Sequence, residues 1–160
     1  MSLKPHREEL NTDISYFYRA GAVTRGGIVS LDNQNASGTA LDNAYNKVKY
    51  TAAGSGVVPV GLLLNDVVNK NLTRTHMNDY RDEVPLHGKV TVLRDGWVVT
   101  NNITGDPNPG DTAYLDSTTP GNVASAADSG HGGDSKYKVG RFDTAKDVDG
   151  YARLYVSLPN

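Results

Sequence analysis

Val84-Pro85-Leu86-His87-Gly88-Lys89-Val90-Thr91-Val92-Leu93-Arg94-Asp95-Gly96-Trp97-Val98-Val99-Thr100-Asn101-Asn102 is the stretch on which the fold turns. Two apolar, β-branched runs flank an Asp-Gly pair, a pattern that predicts a β-hairpin with a two-residue loop. Asp95 and Gly96 would supply the positive φ of a type I′ turn. Arg94 would then pair with Trp97, Leu93 with Val98, and Val92 with Val99. Val90, Val92, Trp97 and Val99 would share one face, and the Arg94 guanidinium would lie over the Trp97 indole. Nothing in these strands resembles a catalytic constellation.

The neighbouring segments carry the same punctuation. Residues 57–64 read as a buried strand whose Pro59 lacks a ladder donor and so belongs at an edge or bulge. Residues 22–31 form a strand pattern bent at Gly26-Gly27. Residues 14–18 alternate, with Ile14, Tyr16 and Tyr18 on one side, and residues 44–50 alternate more weakly. Downstream, Thr119-Pro120-Gly121-Asn122 has the order of a type II turn between two short strands. Residues 137–142 form another strand. In the closing run Ala152, Leu154, Val156 and Leu158 line one face, and Tyr151, Arg153, Tyr155 and Ser157 the other. The whole reads as about eight to ten short strands with no well-signalled helix, an all-β chain. Residues 1–20 are expected to form an N-terminal arm and 21–160 a single β domain. Residues 32–43, 65–82 and 126–135 are expected to be polar loops.

Composition narrows the function. A chain of 160 residues suits one domain with a real core. Nine Tyr against two Phe and one Trp favour half-covered rings with free hydroxyls over a large aromatic core. A net charge of −2 without basic clusters argues against sequence-independent nucleic-acid binding. The absence of Cys excludes disulfides, thiolate zinc sites and cysteine nucleophiles, and it fits synthesis in a cytosol. No apolar run approaches the roughly 18 residues of a membrane helix. The first nine residues carry no apolar core, so a secretory signal is not expected there.

Motifs for chemistry are missing. There is no Gly-x-Gly-x-x-Gly, Walker loop or Gly-x-Ser-x-Gly elbow, and the glycines around His131 lack a strand-then-helix setting. His6, His76, His87 and His131 form no metal-binding pair. His87 reads as a surface or interface residue. His76 with Asp79 and Asp82 has metal-compatible residue types, but a solvated Asn- and Asp-rich loop accounts for them better. Most acidic residues occupy turn positions, where Asp caps its own backbone. No catalytic group, metal or cofactor is therefore expected. Tyr and Arg are enriched at protein interfaces, which makes Arg7, Tyr16, Tyr18 and Arg19 candidate partner-binding residues of the arm. The competing reading packs the two tyrosines on the domain itself. His76 and Tyr80 are the candidates from the long loop at 65–82.

The segment order resembles the tailed-phage capsid decoration, or cement, proteins. The resemblance is carried by Gly21-Ala22-Val23-Thr24-Arg25-Gly26-Gly27-Ile28-Val29, Val58-Pro59-Val60-Gly61-Leu62-Leu63 and residues 84–93. It continues in Pro109-Gly110-Asp111-Thr112-Ala113-Tyr114-Leu115-Asp116, Gly121-Asn122-Val123, Lys138-Val139-Gly140-Arg141-Phe142 and residues 151–156. It implies a small β-barrel or β-tulip-like domain that binds the outside of an icosahedral head, commonly as a homotrimer. The partner it implies is the major capsid protein, with neither nucleic acid nor membrane involved. The location it implies is the outer capsid surface of the virion. A carbohydrate-binding β-sandwich, suggested by the tyrosines and polar loops, is the alternative.

Overall fold

The computed structural model describes residues 3–4, 7–21, 23–32, 46–64, 83–84, 86–126 and 137–159. The loop expected at 65–82, with His76 and Tyr80, lies outside them, as do residues 33–45 and 127–136. Twelve strands run in chain order: β1 (Glu8–Tyr18), β2 (Val23–Thr24), β3 (Ile28–Leu31), β4 (Lys47–Tyr50), β5 (Pro59–Leu64) and β6 (Glu83–Val84). They continue as β7 (Lys89–Thr100), β8 (Ile103–Thr104), β9 (Thr112–Leu115), β10 (Val123–Ala124), β11 (Lys138–Phe142) and β12 (Ala152–Ser157). The all-β expectation holds, with no α-helix among the described residues.

The strand β7 organises everything else, and it overturns the hairpin reading. Asp95-Gly96 is not a turn: it lies inside one continuous strand of 12 residues. β12 pairs with β7 without interruption from Asp95↔Ser157 to Thr100↔Ala152. On the same edge, residues 91–93 pair instead with β5, through Leu62↔Leu93 and Leu64↔Thr91. β1 runs antiparallel along the opposite edge from Phe17↔Lys89 to Glu8↔Trp97. Leu3↔Thr100 and a hydrogen bond from the Lys4 N–H to the Val99 carbonyl carry that pairing to the end of β7. Strands on both edges leave no room for a reversal, so tertiary pairing outweighs the local turn signal.

A bulge stands beside Gly96 instead, at Arg94-Asp95. The β1 register shifts on either side of Asn11, opposite Asp95. Gly96 has φ 146°, and a Cβ there would lie 2.2 Å from the Glu8 carbonyl oxygen. Only glycine fits that conformation at that approach. The bulge changes which side the strand buries: Leu93 and Val98, five residues apart, belong to the same core. Val90 and Val92 face a different one. Val90, Val92, Trp97 and Val99 therefore do share a side of the sheet, through the bulge and not through a hairpin. Arg94 does not cover Trp97. It lies over the Tyr16 ring, donates to the Tyr16 hydroxyl at 2.7 Å and pairs with Asp13 at 3.1 Å.

The strands β1-β4-β3-β5-β7 close into a barrel-like ring of five, because β1 also pairs with β7. Tyr16, Tyr18, Val29, Val48, Leu63, Val90 and Val92 fill it. From β7 the sheet continues as β12-β11-β9-β10-β8. The inner side of this wing, with Ala113, Leu115, Val139, Phe142, Leu154 and Val156, packs on Leu62, Leu64 and Leu93. Alternation in β12 comes out as read: Ala152, Leu154 and Val156 are buried and the residues between them half-exposed. Pro59 begins β5 beside a bulge in that strand, where Val60 is the extra residue between Ser30↔Pro59 and Val29↔Gly61. The segment expected as an arm is laid along β7 over most of its length.

Two polar knots fix the loops. Tyr50 donates its hydroxyl to the Thr24 carbonyl at 2.8 Å and accepts the Gly27 N–H at 2.9 Å. Its ring lies against Gly121, the positive-φ residue of the 119–122 turn, where a Cβ would meet the ring at 2.7 Å. Asp116, 5% exposed, accepts from Thr104 and from the Thr118 and Thr119 backbone, tying the ends of β8, β9 and β10 together. Burial alone would push its carboxyl up, but these hydrogen bonds outweigh that and hold it below the ordinary 3.8.

Two outcomes follow for stability. Gly96→Val should destabilise the protein by about 1–3 kcal/mol, read by denaturant melting, with the loss of amide protection concentrated in β1; an unchanged midpoint would contradict the close approach. Asp116 binds its proton more weakly folded than unfolded. Its stabilisation is thus complete above the ordinary carboxylate range and lost as pH falls through the lower, folded value. Asp116→Asn should flatten that acid limb of the stability–pH curve, measured by urea melting at successive pH values.

Candidate docking surface

Surface chemistry collects on the outer side of the wing. Trp97 on β7 stands beside Tyr155 on β12, and Tyr155 beside Arg141 on β11, which in turn opposes Thr112 on β9. The Trp97 and Tyr155 rings are 4.7 Å apart at 38°. The Arg153 guanidinium lies 5.8 Å from the Trp97 ring. Asp143, just past β11, ties the group together: it accepts the Trp97 indole N–H at 2.9 Å and Arg141 at 3.1 Å. A hydrogen bond with Asp95, chiefly, holds the Tyr155 hydroxyl pKa above its usual value, so it stays a donor.

This is a pre-ordered patch of Trp, Tyr and Arg, the residue types that dominate binding energy at protein interfaces. Its rotamers are fixed by stacking and by Asp143, so little side-chain freedom remains to be lost on docking. Beside it, Thr112, Lys138, Arg141, Tyr155 and Ser157 line a concavity of about 320 Å³. A second concavity of about 270 Å³ opens near Asp116, whose carboxylate oxygens are taken up by the threonine hydrogen bonds. Among the described residues no group of three or more His, Asp or Glu is placed to hold a metal ion. No helix there is long and apolar enough to cross a membrane.

The candidates chosen from sequence fall elsewhere. Tyr16 and Tyr18 are 5% and 1% exposed, their rings inside the five-stranded ring, where they fasten β1. Arg19 pairs with the buried Asp32 at 2.9 Å, and Lys49 reaches the same carboxylate at 3.1 Å. Arg7 pairs with Glu9 at 2.6 Å. His76 and Tyr80 are outside the described residues. His87 sits in the turn before β7 with φ 59°, exposed, and not on a strand face. The outward chemistry of β1 comes from Leu10 and Ile14, each 58% exposed. Sequence did hold a signal for the wing: the polar face of the closing strand carries Arg153 and Tyr155. The lone Trp97 could be placed beside them only through the pairing of β7 with β12.

No curated protein matches the chain. Residues 12–157 match a family model described as structural cement protein (E217 gp24/Pam3 gp6). That span takes in every strand of the ring and the wing, from the middle of β1 through all of β12. The barrel-like all-β domain with an aromatic and basic outer face is thus a member of the phage structural cement protein family, a capsid-stabilising component of the virion.

Proposed function

We propose that the chain bridges neighbouring major capsid protein subunits on the outer surface of the assembled head, as a homotrimer and without catalysis. The observation that carries the reading is the ordered Trp97–Tyr155–Arg141 row on a member of a structural family. A rigid sheet face that spans a subunit junction binds the assembled shell better than separate subunits. Mass action then stabilises the shell by whatever free energy that preference supplies. β1 adds Leu10 and Ile14, presented outward while Tyr16 and Tyr18 anchor the strand. The carbohydrate-binding alternative draws no support from the family match.

The test is reconstitution on undecorated heads. The purified chain should bind them saturably and raise their thermal disruption temperature. Tyr155→Ala should weaken binding by about tenfold or more, as expected for an interface aromatic. Leu10→Ser/Ile14→Ser should weaken it without changing the melting of the free protein. Light scattering should give three times the 17.1 kDa chain mass. Undiminished binding by Tyr155→Ala would move the docking surface off the wing, and another mass would replace the trimer.

A further inference from the structure

We propose that the concavity over β9, β11 and β12 seats a carboxylate, an Asp or Glu side chain of the capsid subunit that this face meets. The proposal rests on the docking reading above and adds the chemistry of the partner. In a regular strand Lys138 and Arg141, three positions apart, would point to opposite sides of the sheet. β11 is not regular. Its register against β9 shifts between Lys138 and Gly140, and burial from Lys138 to Phe142 runs exposed, buried, buried, exposed, buried. This bulge brings both cations to the outer side, a use to which bulges beside functional sites are commonly put. Gly140 permits it: a Cβ there would lie 1.8 Å from the Tyr155 carbonyl oxygen, so β12 presses on β11 where the strand is re-aimed.

The result is a concave site lined by two cationic groups and the Thr112 hydroxyl, with no carboxylate among its lining residues; the Tyr155 hydroxyl is engaged with Asp95 and Ser157, and Asp95 and Asp143 lie at its rim. Arg141 gives Nε and Nη2 to Asp143 and has further N–H groups, on a side chain that is 58% exposed. The Arg141 and Lys138 donors suit an oxyanion through charge-assisted hydrogen bonds. In a protein partner the matching groups are Asp and Glu, and a charge pair of this kind fixes register between two docked surfaces.

The experiment compares head binding by wild type, Lys138→Glu/Arg141→Glu and the charge-preserving Lys138→Arg/Arg141→Lys. Thermal melting of each free protein establishes folding, and Arg141→Gln replaces the double reversal if that variant does not fold. The reversal should weaken binding by about tenfold or more while the charge-preserving pair stays within about threefold of wild type. Heads whose surface carboxylates have been amidated with glycinamide should bind wild type as weakly as native heads bind the reversal. Wild-type binding that survives both the reversal and the amidation would overturn the carboxylate seat and leave the docking reading standing. Loss on reversal without loss on amidation would overturn the carboxylate as the ligand. Failure of wild type to bind native heads would remove the docking reading and this proposal together.

Discussion

Pairing along both edges of β7 is the constraint from which the rest of this structure follows. β1 occupies one edge, and β5 and then β12 share the other. The strand therefore belongs to the five-stranded ring in its first half and to the wing in its second. Its bulge at Arg94-Asp95 lets it bury Val90 and Val92 in one core and Leu93 and Val98 in the other. A hairpin at that position would leave the ring open at β5 and β1, and the wing without its first strand.

The same constraint builds the outer face. Because β12 keeps register with β7 from Asp95 to Thr100, Trp97 meets Tyr155, and the pair faces away from the core. A second bulge, in β11, sets Lys138 and Arg141 on that side too. Both bulges depend on glycine where another strand's backbone comes within a Cβ's reach. The face is thus a by-product of close strand packing, which is why it is rigid. An ordered face suits a capsid-stabilising protein, because a preformed face loses little freedom on binding.

Much of the fold was legible wherever local chemistry and tertiary pairing agreed. The alternation of residues 151–158, the Pro120-Gly121 turn, the double-glycine bend before β3 and the bulge beside Pro59 all follow from rules of one or two residues. The family resemblance, carried by short motifs spread over the chain, was legible as well. What failed was any reading in which Gly had two meanings. Asp95-Gly96 suits a type I′ turn and also the closely approached extended backbone beside a bulge, and only the strands on either side decide. Tyr16, Tyr18 and Arg19 looked like interface residues because their types suit that role. Burial, set by where β1 docks, turned the tyrosines into core and gave Arg19 to Asp32. The wing face was half legible: one strand's polar side could be read, but its assembly with Trp97 and Arg141 is a matter of cross-strand register.

The most direct test is a distance. The chain has no cysteine, so cysteines introduced at Lys89 and Asn101, both exposed, carry the only spin labels. A continuous β7 spaces them by 12 residues of extended chain, roughly 30–40 Å at about 3.3 Å per residue with allowance for the bulge. Electron–electron double resonance should return a distance in that range. A distance below about 15 Å would mean that the chain reverses at Asp95-Gly96, and the ring, the wing and its outer face would fall with it.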